Sequence, residues 1–175
     1  WFSLLKQGEH ITGTANSDSH GKTQQVALPR TMVAMADDQL SAFDEGAFGR
    51  ALQDGKAYGT TGPQLDFSLS GTAMGGTYQG PIATLSGHVR TPDWIDARLL
   101  KVQVNGETLH EVVLDADGAF SIKLAFAKDS FVTLEVSGDA SEGYSAVYAG
   151  FTPYAFSNPI YVDADQDGTW TPPGL

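Results

Sequence analysis

The 175-residue chain contains no cysteine. That excludes disulfide scaffolds, cysteine-ligated zinc, iron–sulfur clusters and thiol nucleophiles. Basic residues are scarce, with 10 Lys and Arg against 21 Asp and Glu, so the formal net charge is −11. A surface of that sign repels phosphate backbones and anionic lipid headgroups, so neither nucleic-acid binding nor membrane docking is expected. No apolar run approaches the roughly 18 residues of a membrane-spanning helix. No basic stretch leading into an apolar one marks a signal peptide at the start. Charged residues make up 18% of the chain, below the usual share of about 25% for globular domains.

Apolar side chains are plentiful: 41% of residues are hydrophobic and 10% aromatic, enough to build a packed core. Twenty glycines, together with frequent Thr and Ser, suit many short strands joined by tight turns. A mainly β fold follows as the first expectation.

The opening Trp1-Phe2-Ser3-Leu4-Leu5 reads as an amphipathic helix stopped at Gly8. A helix whose apolar face is complete from residue 1 is expected in a chain cut from something longer. Residues 11–15 form a short β-like run, followed by a polar loop. Residues 26–35 are apolar and β-branched, with Pro29-Arg30 as an interruption. Asp37-Asp38 is positioned to cap a helical stretch over residues 39–52 that ends at Gly55. A turn-rich elbow covers residues 59–63.

Beyond residue 64 the pattern changes to alternation. Residues 65–69, 85–89, 99–104, 112–114, 120–126, 131–136 and 144–148 each read as strands. Asn105-Gly106 and Asp117-Gly118 lie between such runs and predict hairpin turns. The expected architecture is an antiparallel β-sandwich over residues 64–175. Residues 1–63 are too few and too irregular for a domain of their own and read as the last part of one.

Within the polar loop, Asp18 and His20 stand two apart at the end of the β-like run. Residues so spaced on an extended segment project to one side, and a carboxylate beside an imidazole makes a pair of metal ligands. A simple Asp/Ser turn with an exposed histidine is the alternative. Asn16, Ser17 and Ser19 could support the Asp18 carboxylate from behind. His88 and His110 are expected on sheet surfaces, and neither they nor His10 has a companion at ligand spacing.

The order of several elements carries more than any one of them. Trp1-Phe2-Ser3-Leu4-Leu5 with Gly8 is followed by Asn16-Ser17-Asp18-Ser19-His20, then by Leu28-Pro29-Arg30-Thr31-Met32-Val33. Ala51-Leu52-Gln53-Asp54-Gly55-Lys56-Ala57-Tyr58 and Thr60-Thr61-Gly62-Pro63 complete the series. In this order they resemble the final part of PHP-domain metal-dependent phosphoesterases, in the branch that carries a β-sandwich after the barrel. The resemblance implies that residues 1–63 are the C-terminal remnant of a distorted (β/α)7 barrel. It also implies a cluster of divalent metal ions (Mn, Zn or Fe) at the strand ends, with Asp18 and His20 as its last ligands. The earlier His-x-His and Glu/His motifs of such a site would lie upstream. Two ligands alone cannot hold a multi-metal centre, so the chain by itself is expected to be inactive. Its expected partner is the upstream part of the barrel, and the substrate of the whole a small ester.

Near the other end, Asp163-Ala164-Asp165-Gln166-Asp167-Gly168 matches the first half of an EF-hand loop, D-x-D-x-D-G. Asp163, Asp165 and Asp167 could converge on calcium. Position 12 of that loop should be a bidentate Glu and is Gly174 instead, so a metal-free acidic turn closing the sandwich is the expectation and a calcium loop the alternative. Asp115-Ala116-Asp117-Gly118 is a shorter echo, expected to be a metal-free hairpin turn.

Two functions follow. One is the C-terminal portion of a metal-dependent hydrolase. The other is a non-catalytic β-sandwich module for carbohydrate or a partner domain, with Trp94, Trp170, Tyr78, Tyr144, Tyr148 and Tyr154 as an aromatic platform or, alternatively, as core. Sparse lysine, abundant Thr and Gly, and the calcium-like turn lean toward an extracytoplasmic bacterial protein.

Overall fold

Alternating apolar residues dominate the middle of the chain, and they form strands. The computed structural model describes residues 1–37 and 39–174. In chain order the strands are β1 (Arg30–Val33), β2 (Ala57–Thr60), β3 (Gln64–Leu69), β4 (Thr77–Gln79), β5 (Ile82–Arg90) and β6 (Leu99–Val104). They continue with β7 (Glu107–Val113), β8 (Ala119–Ala125), β9 (Ser130–Ser137), β10 (Tyr154–Ser157) and β11 (Ile160–Asp163). Helices are short: α1 (Phe2–Lys6), α2 (Glu45–Gln53) and α3 (Glu142–Val147), with one 3-10 turn at Leu40–Ala42. The protein is mainly β, as composition and alternation predict.

The strands form two sheets. In the smaller one β5 lies between β3 and β8, both antiparallel to it. In the larger one β9 is the hub. Its one edge pairs with β6, which carries β7 outside it. Its other edge pairs with β10 along residues 135–137 and with β11 along residues 130–132. Beyond β10 lie β2 and then β1. Beyond β11 lies β4, in a parallel pairing.

Both sheets contribute to one apolar core. Leu65, Leu85 and Leu124 from the smaller sheet share it with Leu100, Val102, Leu134 and Val136 from the larger. Burying each such side chain contributes about 1.5–3 kcal/mol against the entropy of ordering the chain. A satellite cluster joins Leu5 of α1 to Phe131 and Tyr161, fixing the first helix against the hub strand.

Two glycines are dictated by geometry. Asn105 and Gly106 both have positive φ (54° and 78°), the requirement of a two-residue type I′ turn between β6 and β7. Gly59 faces Phe156 across the β2–β10 pair. A Cβ there would sit 2.3 Å from the Phe156 ring, so no larger residue fits without displacing that ring.

Several sequence expectations are corrected. Residues 144–148 are not a strand: residues 144–147 belong to α3 and Tyr148 is its C-cap. Ser141 caps that helix, its Oγ accepting the Tyr144 N–H at 3.0 Å. Tyr144 and Tyr148 are four apart, so they share a helix face as readily as a strand face, and their rings lie 5.2 Å apart. Asp117-Gly118 makes a turn, but not a hairpin, because β7 and β8 belong to different sheets. The cap of α2 is Asp44, whose Oδ1 accepts the Ala47 N–H at 3.0 Å. Asp38, half of the cap expected earlier in the chain, lies outside the described residues, while Asp37 accepts a hydrogen bond from the Gln39 N–H. Residues 11–15 join no ladder. Side chains hold them instead: Gly13 N donates to Asn158 Oδ1 at 2.7 Å and Ala15 N to Thr31 Oγ1 at 2.9 Å. On the near side of residues 60–64, β2 lies in the larger sheet beside β10.

Candidate functional sites

The loop between α1 and β1 carries Asp18 and His20. Asp18 adopts a positive φ of 49°, so a turn rather than a strand end brings the two together. His20 Nδ1 lies 3.5 Å from Asp18 Oδ1 and 2.6 Å from the Asp18 carbonyl. Both side chains are open to solvent, 77% exposed for His20 and 90% for Asp18. The neighbours credited with supporting the carboxylate bond elsewhere. Asn16 donates to Thr14 Oγ1 at 3.5 Å. Ser19 Oγ bonds the Ser17 hydroxyl and the Gln25 carbonyl. The pair is therefore assembled and pointed outward, with no third ligand among the described residues.

The other histidines are separate. His88 is exposed on β5, between Asp66 and Ala119 in register. His110 is half-buried on β7. His10 stacks on Tyr161 with ring centroids 4.5 Å apart and meets Trp170 edge-on.

The acidic turn gives a different geometry. Asp163, the last residue of β11, is buried, and its Oδ2 accepts the Gly168 N–H at 3.0 Å. Asp165 and Asp167 follow on the exposed turn. The structure adds a residue that motif reading missed: Asp129, just before β9. Ligand oxygens of Asp129, Asp163 and Asp165 all lie within 4.8 Å of one another. Asp129 is also tied to the turn by backbone donors, Ala164 N at 2.8 Å and Thr171 N at 2.6 Å. Its one sequence signal is a Lys-Asp-Ser turn directly before an apolar run. Asp115 and Asp117 sit in a simple turn, with Gly118 N donating to the Asp115 carbonyl at 2.9 Å.

A cleft of about 420 Å³ separates the segment around Thr12 and Asp54 from residues 158–161 of the larger sheet. Several of its polar groups bond one another or the neighbouring backbone. Asp54 pairs with Lys56 at 3.0 Å, Thr12 donates to the Leu52 carbonyl at 2.7 Å, and Asn158 bonds Gly13 and Ala57. That pattern holds a seam together.

The aromatic residues do not assemble into one platform. Tyr144 is fully buried in the core, with Trp94 and Tyr148 packed on it. Trp170 packs on Tyr161, and Tyr154 on Phe156. Burial raises the pKa of Tyr58 and of Tyr144 above the ordinary 10. It pushes Tyr161 up to about 12. Burial, with Glu135 alongside, takes Tyr154 to about 12 as well.

No helix among the described residues is long and apolar enough to cross a membrane. Comparison with family models, with curated proteins and with solved structures finds no match.

Proposed function

We propose that the chain is the C-terminal portion of a PHP-type metal-dependent hydrolase. On this reading it supplies the last ligand motif, Asp18 and His20, and an accessory β-sandwich. The observation that carries the proposal is the outward-facing Asp18–His20 pair, in the ordered series of motifs that resembles that family. Exposed apolar side chains follow it along the chain: Val26 is 79% exposed, Leu40 91% and Phe43 57%. An upstream barrel packed on this region would cover those side chains and bring the missing His and Glu ligands to the pair. Bound divalent ions would then activate a water for attack on a phosphoester or related ester. The residues of this chain would contribute one imidazole nitrogen and one carboxylate oxygen. An acidic, extracytoplasmic bacterial protein remains the reading of its location.

The test uses the longer protein that this reading requires. Asp18→Asn and His20→Ala should each lower metal content and turnover, while the melting temperature changes little. Wild-type metal stoichiometry and rate in both variants would make the loop a simple turn. The 175-residue chain alone should not turn over a p-nitrophenyl phosphoester with Mn²⁺ or Zn²⁺. Turnover lost in Asp18→Ala would overturn that part of the proposal.

A further inference from the structure

Asp163 is only 1% exposed. Its Oδ2 is served by the Gly168 N–H at 3.0 Å and by Gln79 Nε2 at 3.4 Å. Its Oδ1 is buried and has no hydrogen-bond partner among the described residues. Sealing a carboxylate oxygen from water without a donor is unfavourable, and natural structures rarely leave such an atom unserved. What lies nearby makes matters worse, because the facing groups are the carboxylates of Asp129 and Asp165, all within 4.8 Å. Three like charges at that range repel strongly in a part-buried setting. A cation placed among them removes both costs at once.

We infer that Asp129, Asp163 and Asp165 form a calcium site, with Asp167 and the backbone of Thr169 as further donors from the same turn. The donor set is all oxygen, which selects a hard cation over zinc or copper. Asp163, Asp165 and Asp167 occupy positions 1, 3 and 5 of a D-x-D-x-D-G loop, and Thr169 occupies position 7, where such loops use a backbone carbonyl. The carboxylate such a loop normally draws from position 12 comes instead from Asp129, across the fold. Each Asp129 oxygen that accepts a backbone N–H keeps a second lone pair for metal. A flexible turn carrying several carboxylates suits calcium better than magnesium, which demands near-octahedral geometry and keeps its waters.

The role of this site is structural. It joins the segment after β11 to the start of the hub strand, beside the bond from Trp170 Nε1 to the Ser130 carbonyl at 2.8 Å. It does not depend on the hydrolase reading, since Asp18 and His20 take no part in it.

The experiment is a thermal melt of the chain in EDTA, CaCl₂ or MgCl₂, paired with a terbium titration that reads emission sensitised by Trp170. Calcium at about 100-fold its Kd should raise the melting temperature by about 5–10 °C. Terbium should luminesce and be displaced by calcium. Asp163→Asn, which keeps the side-chain shape, and Asp165→Asn, which is exposed and cannot disturb the core, should each lose the calcium shift and the luminescence. Asp18→Asn should keep both. No calcium shift and no terbium emission in the wild type would overturn the assignment. So would an equal shift with magnesium, or retention of the calcium shift in both Asp163→Asn and Asp165→Asn.

Discussion

The first 60 residues and the rest of the chain solve the same problem differently. From β3 onward, strands pair along their length and bury alternate side chains in one core between two sheets. Before β3, the buried apolar residues are Leu5, Leu28, Ala51 and Ala57 among the described residues. Loops there are held by side chains: Asn158, Thr31 and Thr12 bond backbone groups that a neighbouring strand would otherwise serve. A segment held by hydrogen bonds whose partners lie far off in sequence depends on the body. The body, held by packing, depends far less on the segment.

The largest test of that asymmetry is Leu134→Ala. Leu134 is fully buried in the core on the hub strand. Its truncation should cost about 2–5 kcal/mol in chemical denaturation, and both regions should unfold together. Asn158→Ala should come next. Asn158 is fully buried, accepts from Gly13 N at 2.7 Å and donates to the Ala57 and Gly13 carbonyls at 2.7 and 3.0 Å. Its loss leaves buried backbone groups unserved, at about 1–3 kcal/mol. Limited proteolysis should then cut residues 14–28 faster while the strands stay protected. Equal protection of both regions in that variant would break the comparison.

A smaller, pH-dependent effect belongs to the body and its seam. Tyr161 and Tyr154 have pKa values raised to about 12 in the fold, against about 10 in an unfolded chain. The stability they confer is complete below pH 10 and is lost as pH rises from 10 toward 12. Melts over that window should steepen downward, and Tyr161→Phe should flatten the fall. The smallest effect expected is at Leu40, which is 91% exposed. Leu40→Ser should change stability by less than about 0.5 kcal/mol, as a calorimetric melt would show, because its side chain is almost wholly in solvent.

The same contrast explains what could be read from sequence. Strands with clean alternation, such as β3 and β8, are legible because burial on one face imposes a period of two. So is the β6–β7 turn, since Asn-Gly is the chemistry a type I′ turn needs. Strands β10 and β11 are not, because each has four residues and β11 is buried throughout, which erases the period. Helix α3 reads as a strand because Tyr144 and Tyr148, four apart, fit a period of two as well as a helical turn. At the acidic turn, the Asp163-Asp165-Asp167 spacing is plain in the sequence. Asp129 is invisible there, because it stands 35 residues from the backbone group it binds, Ala164 N, and only the pairing of β9 with β11 brings them together.

The β2–β10 pair sets an order of events for the nascent chain. Thr60 pairs with Ala155, so β2 leaves the ribosome well before the strand that will cover its inner edge. At ordinary synthesis rates the wait is roughly 5–20 s, long compared with the time a hairpin needs to form. Through that interval β1 and β2 lack their third strand from this sheet, and a two-stranded ribbon is marginal alone. Sheets closed by partners this distant in sequence fold slowly. The β1–β2 ribbon is therefore where a chaperone has most to hold, and where crowded expression should first show as aggregation.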